Sequence, residues 1–259
     1  MKLSGRVAIV TGASAGIGRA YALALAAEGA TVIAAARRVG DSESTNENTL
    51  ASLVRQSKSL AGLVCAQRCD VGVESDIVEL VDHAVANFGR VDVLVNNAAV
   101  LAKFDTLAIG SDEWDQVMAT NVRGPYVAIR EVAKPMIRQR SGSIINITAA
   151  VGTMTPRTNY PGFLAYGVSK AALNRLSYFM ASELKPHGIA VNSLSPGVVA
   201  SESALRANPN VAQSGTHKPC TPEVLGPALI HLALQSAETL SGEILHTDEF
   251  GKSWPASAA

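Results

Sequence analysis

Residues 7–18 read VAIVTGASAGIG, and this stretch decides the fold. A short apolar run at 7–10 is followed by a glycine-rich loop and then by apolar residues at helical spacing. Glycines allow a tight strand-to-helix turn and let its backbone approach a pyrophosphate, which then lies at the helix N-terminus. A second apolar run starts at Thr31, about 20 residues further on, as in dinucleotide-binding units. The stretch therefore predicts nucleotide binding, with a plain structural turn as the alternative.

Short apolar runs alternate with segments of helical spacing along the whole chain. The predicted strands are 7–10, 31–35, 63–67, 91–95, 143–148, 190–195 and 242–246. The predicted helical segments are 18–28, 75–88, 112–140, 165–186 and 222–234. The strands are mostly continuous Val, Ile, Leu and Ala, which is typical of strands covered by helices on both faces. This alternation predicts a parallel sheet joined by right-handed crossovers.

The predicted fold class is α/β, as a single Rossmann-type domain over residues 1–259. It has a doubly wound, seven-stranded parallel sheet with helices on both faces, and no linker or internal repeat divides the sequence. Two polar stretches, 40–49 and 200–219, predict loops. Parallel α/β sheets bind ligands at the carboxyl ends of their strands, so 200–219, after the sixth strand, is predicted to be a substrate lid. The candidate pocket-wall residues are Tyr160, Phe163, Leu205, Val211 and His217.

The composition is that of a globular protein, with 47% hydrophobic and 17% charged residues. The 22 basic and 22 acidic residues balance, so nothing indicates nucleic acid or an anionic membrane as partner. No apolar run approaches the ~20 residues of a membrane span, and the N-terminus lacks a signal-peptide layout. Cys65, Cys69 and Cys220 form no CxxC pair. We therefore expect neither a disulfide framework nor a metal site, and a cytoplasmic protein.

The end of the second predicted strand carries a pair of arginines, Arg37 and Arg38. An NAD site would have an acidic residue here to accept hydrogen bonds from the adenosine ribose. Arginine instead pairs with a phosphate through charge-assisted, often bidentate bonds. The pair predicts NADP(H), with Arg37 the stronger candidate because it lies closer to the strand. A solvated basic loop is the alternative.

Further motifs follow the strands in order. They are Asp70-Val71 after the third strand, Asn96-Asn97-Ala98-Ala99 after the fourth, Asn121, YGVSK at 166–170, and Pro196-Gly197 after the sixth. With the glycine-rich loop they resemble the short-chain dehydrogenase/reductase family over nearly the whole chain. A YxxxK motif alone would be weak evidence, because an amphipathic helix with a snorkelling lysine has the same pattern. Six motifs in the family's order and spacing are specific.

The resemblance implies an oxidoreductase that transfers a hydride between NADP(H) and a small organic substrate. The residues predicted to bind the cofactor are Gly12, Ser14, Gly16, Ile17, Gly18, Arg37, Arg38, Asp70, Val71, Asn96, Ala98, Tyr166, Lys170, Pro196, Gly197 and Val199. The implied catalytic residues are Tyr166, Lys170 and Asn121, the last resembling an asparagine that kinks its helix and helps to hold a water near the lysine. The segments 112–140 and 165–186 resemble helices that pair between subunits, so a homotetramer or a dimer is expected.

The chemistry of Tyr166 and Lys170 agrees with these roles. Residues four apart share a helix face, and a phenol with a pKa of about 10 is a poor acid–base catalyst near neutrality. A nearby ammonium and the positive nicotinamide ring favour the phenolate, so we expect a lowered pKa for Tyr166. In reduction Tyr166 would protonate the developing alkoxide, and in oxidation it would act in reverse.

One position departs from the family's pattern. The family has a serine just after the fifth strand, and aligning Asn146 and Gly152 puts Ala149 there. Losing one such hydrogen-bond donor costs about 10²–10³ in rate. Three interpretations stay open. Another hydroxyl, from Thr148, Thr153 or Thr155, replaces it. The substrate, for example an imine, needs no such donor. Finally, the protein is a weakly catalytic, nucleotide-binding regulatory or scaffold protein.

Overall fold

The computed structural model of the protein describes residues 1–40, 46–101, 107–153, 162–207 and 219–255. Within them, seven strands form one open sheet in the order β3-β2-β1-β4-β5-β6-β7. Every neighbouring pair is parallel. The strands are β1 Val7–Thr11, β2 Thr31–Ala36, β3 Leu63–Arg68, β4 Val93–Asn96, β5 Gly142–Ile147, β6 Ile189–Ser195 and β7 Ile244–His246. The predicted single-sheet Rossmann architecture is confirmed.

The sheet is covered on both faces, as its continuous apolar strands predicted. In β1, Ala8 and Val10 belong to one buried cluster and Ile9 to the other, because alternate side chains point to opposite faces. The first cluster includes Leu25 and Leu229, and the second includes Leu80 and Ile129. Every residue of β1 is buried. Burial from both sides explains why this strand lacks a polar alternation.

The described helices are α1 Gly16–Ala27, α2 Leu50–Ser57, α3 Glu74–Phe88, α4 Ser111–Met118, α5 Gly124–Gln139, α6 Leu164–Leu184, α7 Glu202–Ala207 and α8 Gly226–Ala233. Helix α2 is not in the sequence prediction. It is short, with four apolar and four polar residues, and it begins where the Thr49 side chain accepts a hydrogen bond from the Ser52 backbone at 3.2 Å. This N-cap follows the polar stretch predicted as a loop, whose residues 41–45 lie outside the described residues.

The segment 112–140, predicted as one long helical segment, is interrupted. A five-residue π-helical turn, Ala119–Arg123, separates α4 from α5, and Asn121 lies inside it with a fully buried side chain. Such turns occur often at functional sites. The helix is thus interrupted at Asn121, the position where the family resemblance led us to expect a kink.

The predicted loop 200–219 is partly helical. Helix α7 follows a bridge between Val199 and Cys220, which closes the segment at its base. Residues 208–218 lie outside the described residues, and so do the candidate wall residues Val211 and His217. Tyr160 and Thr155 also lie outside them. Among the residues that are described, no helix is both long and apolar enough to cross a membrane.

The position of the functional site follows from the strand order. The chain leaves β1 towards β2 and β3 on one side, and β4, β5 and β6 continue on the other. The loops after β1 and β4 therefore diverge at this point and leave a crevice at the carboxyl edge of the sheet, where α/β proteins bind ligands.

Candidate active site

A cleft of about 410 Å³ opens at this edge. It is bounded by the ends of β1, β2, β4, β5 and β6 and by the first turns of α6 and α7. It brings together most of the predicted site residues, namely Gly12, Ser14, Gly16, Ile17, Gly18, Arg37, Arg38, Asp70, Val71, Ala98, Tyr166, Lys170, Pro196, Gly197 and Val199. Two predicted residues, Asn96 and Asn121, lie outside its lining.

The glycine-rich loop has the geometry that its glycines predicted. Gly12 and Gly16 have φ values of +66° and +54°, which favour glycine. A Cβ on Gly18 would lie 2.4 Å from both the Gly12 carbonyl oxygen and the Asn97 amide nitrogen. Any larger residue at 18 would therefore push the loop away from the start of α1. That start has no side-chain cap at Ala15, so the helix N-terminus faces the cleft without a capping side chain.

Asn97, which the sequence reasoning did not select, holds this loop in place. Its side-chain amide donates to the carbonyl of Thr11 at 2.9 Å and to that of Gly12 at 3.3 Å. Its backbone N–H donates to the Thr11 hydroxyl at 3.0 Å. In the sequence, this residue is marked only by the Asn96-Asn97 dipeptide at the end of β4, which does not reveal which asparagine faces the cleft.

The Asn96 side chain lies in the protein core and does not line the cleft. It is 3% exposed, and its amide donates to the Asn146 side chain at 2.8 Å. Asn146 in turn donates to the Ser177 hydroxyl at 2.8 Å, and Ser193 donates to the same hydroxyl at 2.9 Å. This network links β4, β5 and β6 to α6 beneath the cleft. Binding of the cofactor by Asn96 stays a prediction, and its side chain is engaged inside the core.

The basic end of β2 lies beside an acidic residue. The Arg37 side chain is 65% exposed, and its guanidinium lies 4.0 Å from the Asp70 carboxylate. Asp70 also accepts a hydrogen bond from the Gly72 backbone at 2.9 Å, which fixes its orientation. An exposed ion pair of this length contributes little to stability. Arg37 is therefore available to another anion at the cleft.

Lys170 extends through the protein towards the end of β5. It is 2% exposed, and its ammonium donates to the Ile147 carbonyl at 2.7 Å. The ammonium also lies 5.5 Å from the centroid of the Tyr166 ring. Burial lowers the pKa of Lys170 to about 8. An internal lysine of this kind disfavours its own charged form and is a mark of functional sites.

Tyr166 is partly exposed to the cleft, yet enough protein surrounds its phenol for burial to raise its pKa above the usual value. We expected a lowered pKa, and that prediction is wrong for the surroundings that the protein itself supplies. The reason is that the Lys170 ammonium is bonded to a carbonyl and lies over the ring face, while desolvation acts on the hydroxyl directly. Near neutral pH Tyr166 is therefore a protonated group that can donate.

Asn121 connects the first turns of α6 to the loop after β4. Its side chain accepts a hydrogen bond from the Val100 backbone at 2.8 Å and donates to the Ser169 hydroxyl at 3.0 Å. Ser169 in turn donates to the Tyr166 carbonyl at 2.7 Å. Asn121 thus fixes the helical turn that carries Tyr166 and Lys170.

Ala149 lines the cleft next to Thr148. Thr148 is buried, and its hydroxyl donates over 3.5 Å to the Lys170 carbonyl, so it is turned towards α6 as strand alternation predicted. Thr153 is exposed and its hydroxyl donates to the Ala150 carbonyl at 3.0 Å. Phe163 and Leu205 are described but do not line this cleft. Ser201 and Glu202, which the sequence reasoning did not select, do line it.

Comparisons with known proteins agree with the fold and the cleft. A family model described as short chain dehydrogenase matches residues 6–212. The 3-oxoacyl-[acyl-carrier-protein] reductase FabG of Thermotoga maritima is 33% identical over 96% of this chain and 98% of its own. A short-chain type dehydrogenase/reductase of Picea abies is 34% identical, over 95% and 92%. A solved short-chain type dehydrogenase/reductase from Mycobacterium marinum is 30% identical, has a TM-score of 0.83 and covers 94% of both chains.

These findings show that the protein is an oxidoreductase built on a parallel α/β sheet. The chain belongs to the short-chain dehydrogenase/reductase family.

Proposed function

We propose that the protein is an NADP(H)-dependent oxidoreductase acting on a carbonyl or alcohol group, or on an imine or amine, of a small organic substrate. One observation carries the proposal: Tyr166 and Lys170 line the same cleft as the glycine-rich loop. A proton donor and a phosphate-binding turn would then face one ligand. The family to which the chain belongs supports the same reaction class.

The residues present fit a dinucleotide. The cradle at Gly12, Gly16 and Gly18 has no room for side chains and faces an uncapped helix N-terminus, which suits a pyrophosphate. Arg37 and Arg38 would bind an adenosine 2′-phosphate, and Asp70 and Val71 would lie against the adenine. When bound, the nicotinamide supplies or accepts the hydride. The Pro196–Val199 turn would support its carboxamide.

The chain's own residues would manage the proton. Tyr166 carries its proton near neutral pH, so it would hydrogen-bond the substrate oxygen and donate that proton as the alkoxide forms. Lys170 would turn from the Ile147 carbonyl to the nicotinamide ribose. Asn121, through Ser169, would keep both residues on one helical turn.

The names of the relatives suggest the first substrate class to try. The relatives from Thermotoga maritima and from Synechocystis are named 3-oxoacyl-[acyl-carrier-protein] reductases. Their similarity supports a 3-oxoacyl thioester. Ala149 is the one observation that favours the second candidate, a nucleotide-binding regulatory or scaffold protein, because a hydrogen-bond donor is missing there. Relatives named as reductases do not favour it.

The activity is tested by mixing purified protein with NADPH and a 3-oxoacyl thioester or a simple ketone. We expect NADPH to be consumed, and to be preferred over NADH by about tenfold or more, since charge-assisted bonds to a 2′-phosphate contribute about 1.5–3 kcal/mol. The saturated acyl thioester, which has no ketone, is the control and should consume nothing. Tight NADPH binding without consumption across ketones and imines would support the regulatory alternative instead.

Arg37→Asp tests the cofactor preference. It removes the proposed partner of the 2′-phosphate and puts a carboxylate in its place, so the ratio of NADPH to NADH affinity should fall by about tenfold or more. Titration of both cofactors by fluorescence measures it. The matched control is Arg68→Asp, since Arg68 is equally exposed at 65% and likewise paired with an aspartate, Asp76, but does not line the cleft. An unchanged ratio in Arg37→Asp removes Arg37 from the proposal.

Assembly and location complete the proposal. Helix α6 exposes Val168, Tyr178 and Phe179, and α5 exposes Tyr126. Exposed aromatic and aliphatic side chains on neighbouring helices suit a contact between copies of the chain. We infer a homotetramer or a dimer. The free thiols of Cys65, Cys69 and Cys220 suit a reducing cytoplasm.

A further inference from the structure

Arg19, in the first half of α1, connects three parts of the protein through hydrogen bonds. Its guanidinium donates to acceptors on the glycine-rich loop, on the segment before α2 and on α2 itself. These acceptors are the carbonyls of Ser14 at 3.3 Å, Glu47 at 2.7 Å and Thr49 at 3.5 Å, the Ser52 hydroxyl at 2.9 Å and the Gln56 amide oxygen at 3.0 Å. The planar guanidinium, with its five N–H groups, can serve all of these directions at once.

The first turn of α2 is also hydrogen-bonded to the backbone of Arg38 and Val39, which follow β2. The Leu50 backbone N–H donates to the Arg38 carbonyl at 3.1 Å, and the Ala51 N–H donates to the Val39 carbonyl at 2.9 Å. A continuous series of hydrogen bonds therefore runs from Arg38 through the start of α2 to Arg19, and from Arg19 to the Ser14 carbonyl.

Arg19 is not among the residues that line the cleft, and its guanidinium is bonded to protein acceptors instead. Burial lowers the pKa of Arg19, while Glu47 and Glu202 act against that shift. Arginine stays protonated in proteins, so the guanidinium remains a full donor. Its influence on a ligand must therefore pass through the segments that it holds.

The two segments depend on Arg19 to different degrees. The glycine-rich loop is also held by the Asn97 amide and by a bond from the Ala13 N–H to the Ala35 carbonyl at 3.1 Å. Helix α2 and the segment before it, by contrast, receive four of the Arg19 hydrogen bonds directly, at Glu47, Thr49, Ser52 and Gln56. Loss of the Arg19 side chain should therefore make Arg38 and the start of α2 more mobile, and affect the glycine-rich loop, which would bind the pyrophosphate, less.

We propose that Arg19 is a positioning residue for recognition of the adenosine 2′-phosphate, acting through α2 on Arg37 and Arg38. The proposal rests on the proposed NADP(H) function. A dinucleotide presents its pyrophosphate and its 2′-phosphate at a fixed spacing, so the loop and the arginine pair must be held at a matching spacing. Directional arginine–phosphate bonds weaken when that spacing is lost.

The experiment uses the full chain and two fragments of the cofactor, 2′,5′-ADP and 5′-AMP, which differ by the 2′-phosphate. Calorimetry measures their dissociation constants for the wild type, Arg19→Met and Arg19→Lys. We expect the wild type to prefer 2′,5′-ADP and both variants to lose about tenfold of that preference, with 5′-AMP affinity unchanged. Lysine keeps the charge but lacks the planar fork, so it should not rescue.

A second readout reports the positions directly. Amide hydrogen exchange in residues 46–53 should be faster in both variants, while exchange in residues 12–18 stays at the wild-type level. Ser52→Ala removes one acceptor on α2 and should give a smaller change in the same direction, which keeps the test open if Arg19→Met does not fold. Arg68→Met, outside the cleft, is the control and should leave the preference unchanged.

The outcomes separate the two proposals. A wild type that prefers 2′,5′-ADP, together with Arg19 variants that keep the preference, overturns the role of Arg19 alone. An equal loss for both nucleotides also overturns it, because Arg19 would then support the glycine-rich loop. Rescue by Arg19→Lys overturns it as well, since charge would suffice. A wild type without any preference overturns the NADP(H) proposal and this inference together.

Discussion

Tyr166→Phe is expected to lower kcat by about 10²–10⁴, the range of a general acid–base contribution, with the dissociation constant of NADPH unchanged. The phenol is protonated near neutral pH, and phenylalanine keeps the ring while removing the proton. Because the lost interaction belongs to the transition state, kcat and kcat/KM should fall together. Steady-state kinetics with the best ketone substrate measure both.

Tyr178→Phe is the matched control. Tyr178 lies on the same helix, is 57% exposed and does not line the cleft. It should leave kcat at the wild-type value. A Tyr166→Phe variant as active as this control would refute the assignment of Tyr166 as proton donor.

Lys170→Met is expected to lower activity on the order of a hundredfold, as when one transition-state donor is removed, without lowering stability near pH 7. The gap between the ordinary lysine pKa of 10.5 and about 8 in the folded protein corresponds to a cost of about 3 kcal/mol for burying the ammonium. Against this, the Ile147 carbonyl loses its partner, which costs about 1–3 kcal/mol. The variant should therefore be as stable as the wild type or more stable.

The stability cost of burying the Lys170 ammonium depends on pH. A lysine whose pKa is lowered by folding costs stability in full below about pH 8, and the cost disappears as the pH rises towards 10.5. Wild-type stability thus gains about 3 kcal/mol over this window, and Lys170→Met lacks the gain. Denaturant unfolding at about pH 8 and about pH 10.5 measures the difference in unfolding free energy between the two proteins at each pH. The other titrating groups contribute equally to both proteins, so they cancel in this difference. A difference that does not change with pH would contradict the burial of a charged Lys170.

Most of the architecture could be predicted because several signals coincide in it. The run 7–18 combines a strand, a glycine turn and a helix start, and β1 and β2 are almost wholly apolar because both faces of the sheet are covered there. Tyr166 and Lys170 share a face of α6 and so reach the cleft together. Helix α2 was not predicted because it is only eight residues long, although Leu50 and Leu53 share a buried face; the Thr49 cap and Arg19 hold its polar side.

Several features of the site have physical causes that composition and spacing do not encode. Asn96 and Asn97 are adjacent and chemically identical, and only strand register turns Asn96 into the core and Asn97 to the glycine-rich loop. The pKa of Tyr166 depends on where the Lys170 ammonium is directed, and a sequence gives only their separation. Arg19 escaped because its role depends on segments distant in the chain.

Ala149 remains the departure that shapes the chemistry. Among the described hydroxyls, Thr148 lines the cleft but its hydroxyl is bonded to the Lys170 carbonyl, and the Thr153 hydroxyl is bonded to the Ala150 carbonyl. The substrate oxygen, or nitrogen, would then depend more strongly on Tyr166. This makes the loss of the Tyr166 hydroxyl especially costly in the proposed reaction.

Transfer of isotopically labelled hydride tests the central claim most directly. Purified protein is mixed with NADPH that carries deuterium at both C4 positions of the nicotinamide and with a ketone that it consumes, and the product alcohol is analysed by mass spectrometry and NMR. The proposed function predicts one deuterium on the carbinol carbon, on a single face, with Tyr166→Phe giving the same product far more slowly. Product without deuterium, or no product from any ketone or imine despite bound NADPH, would contradict it.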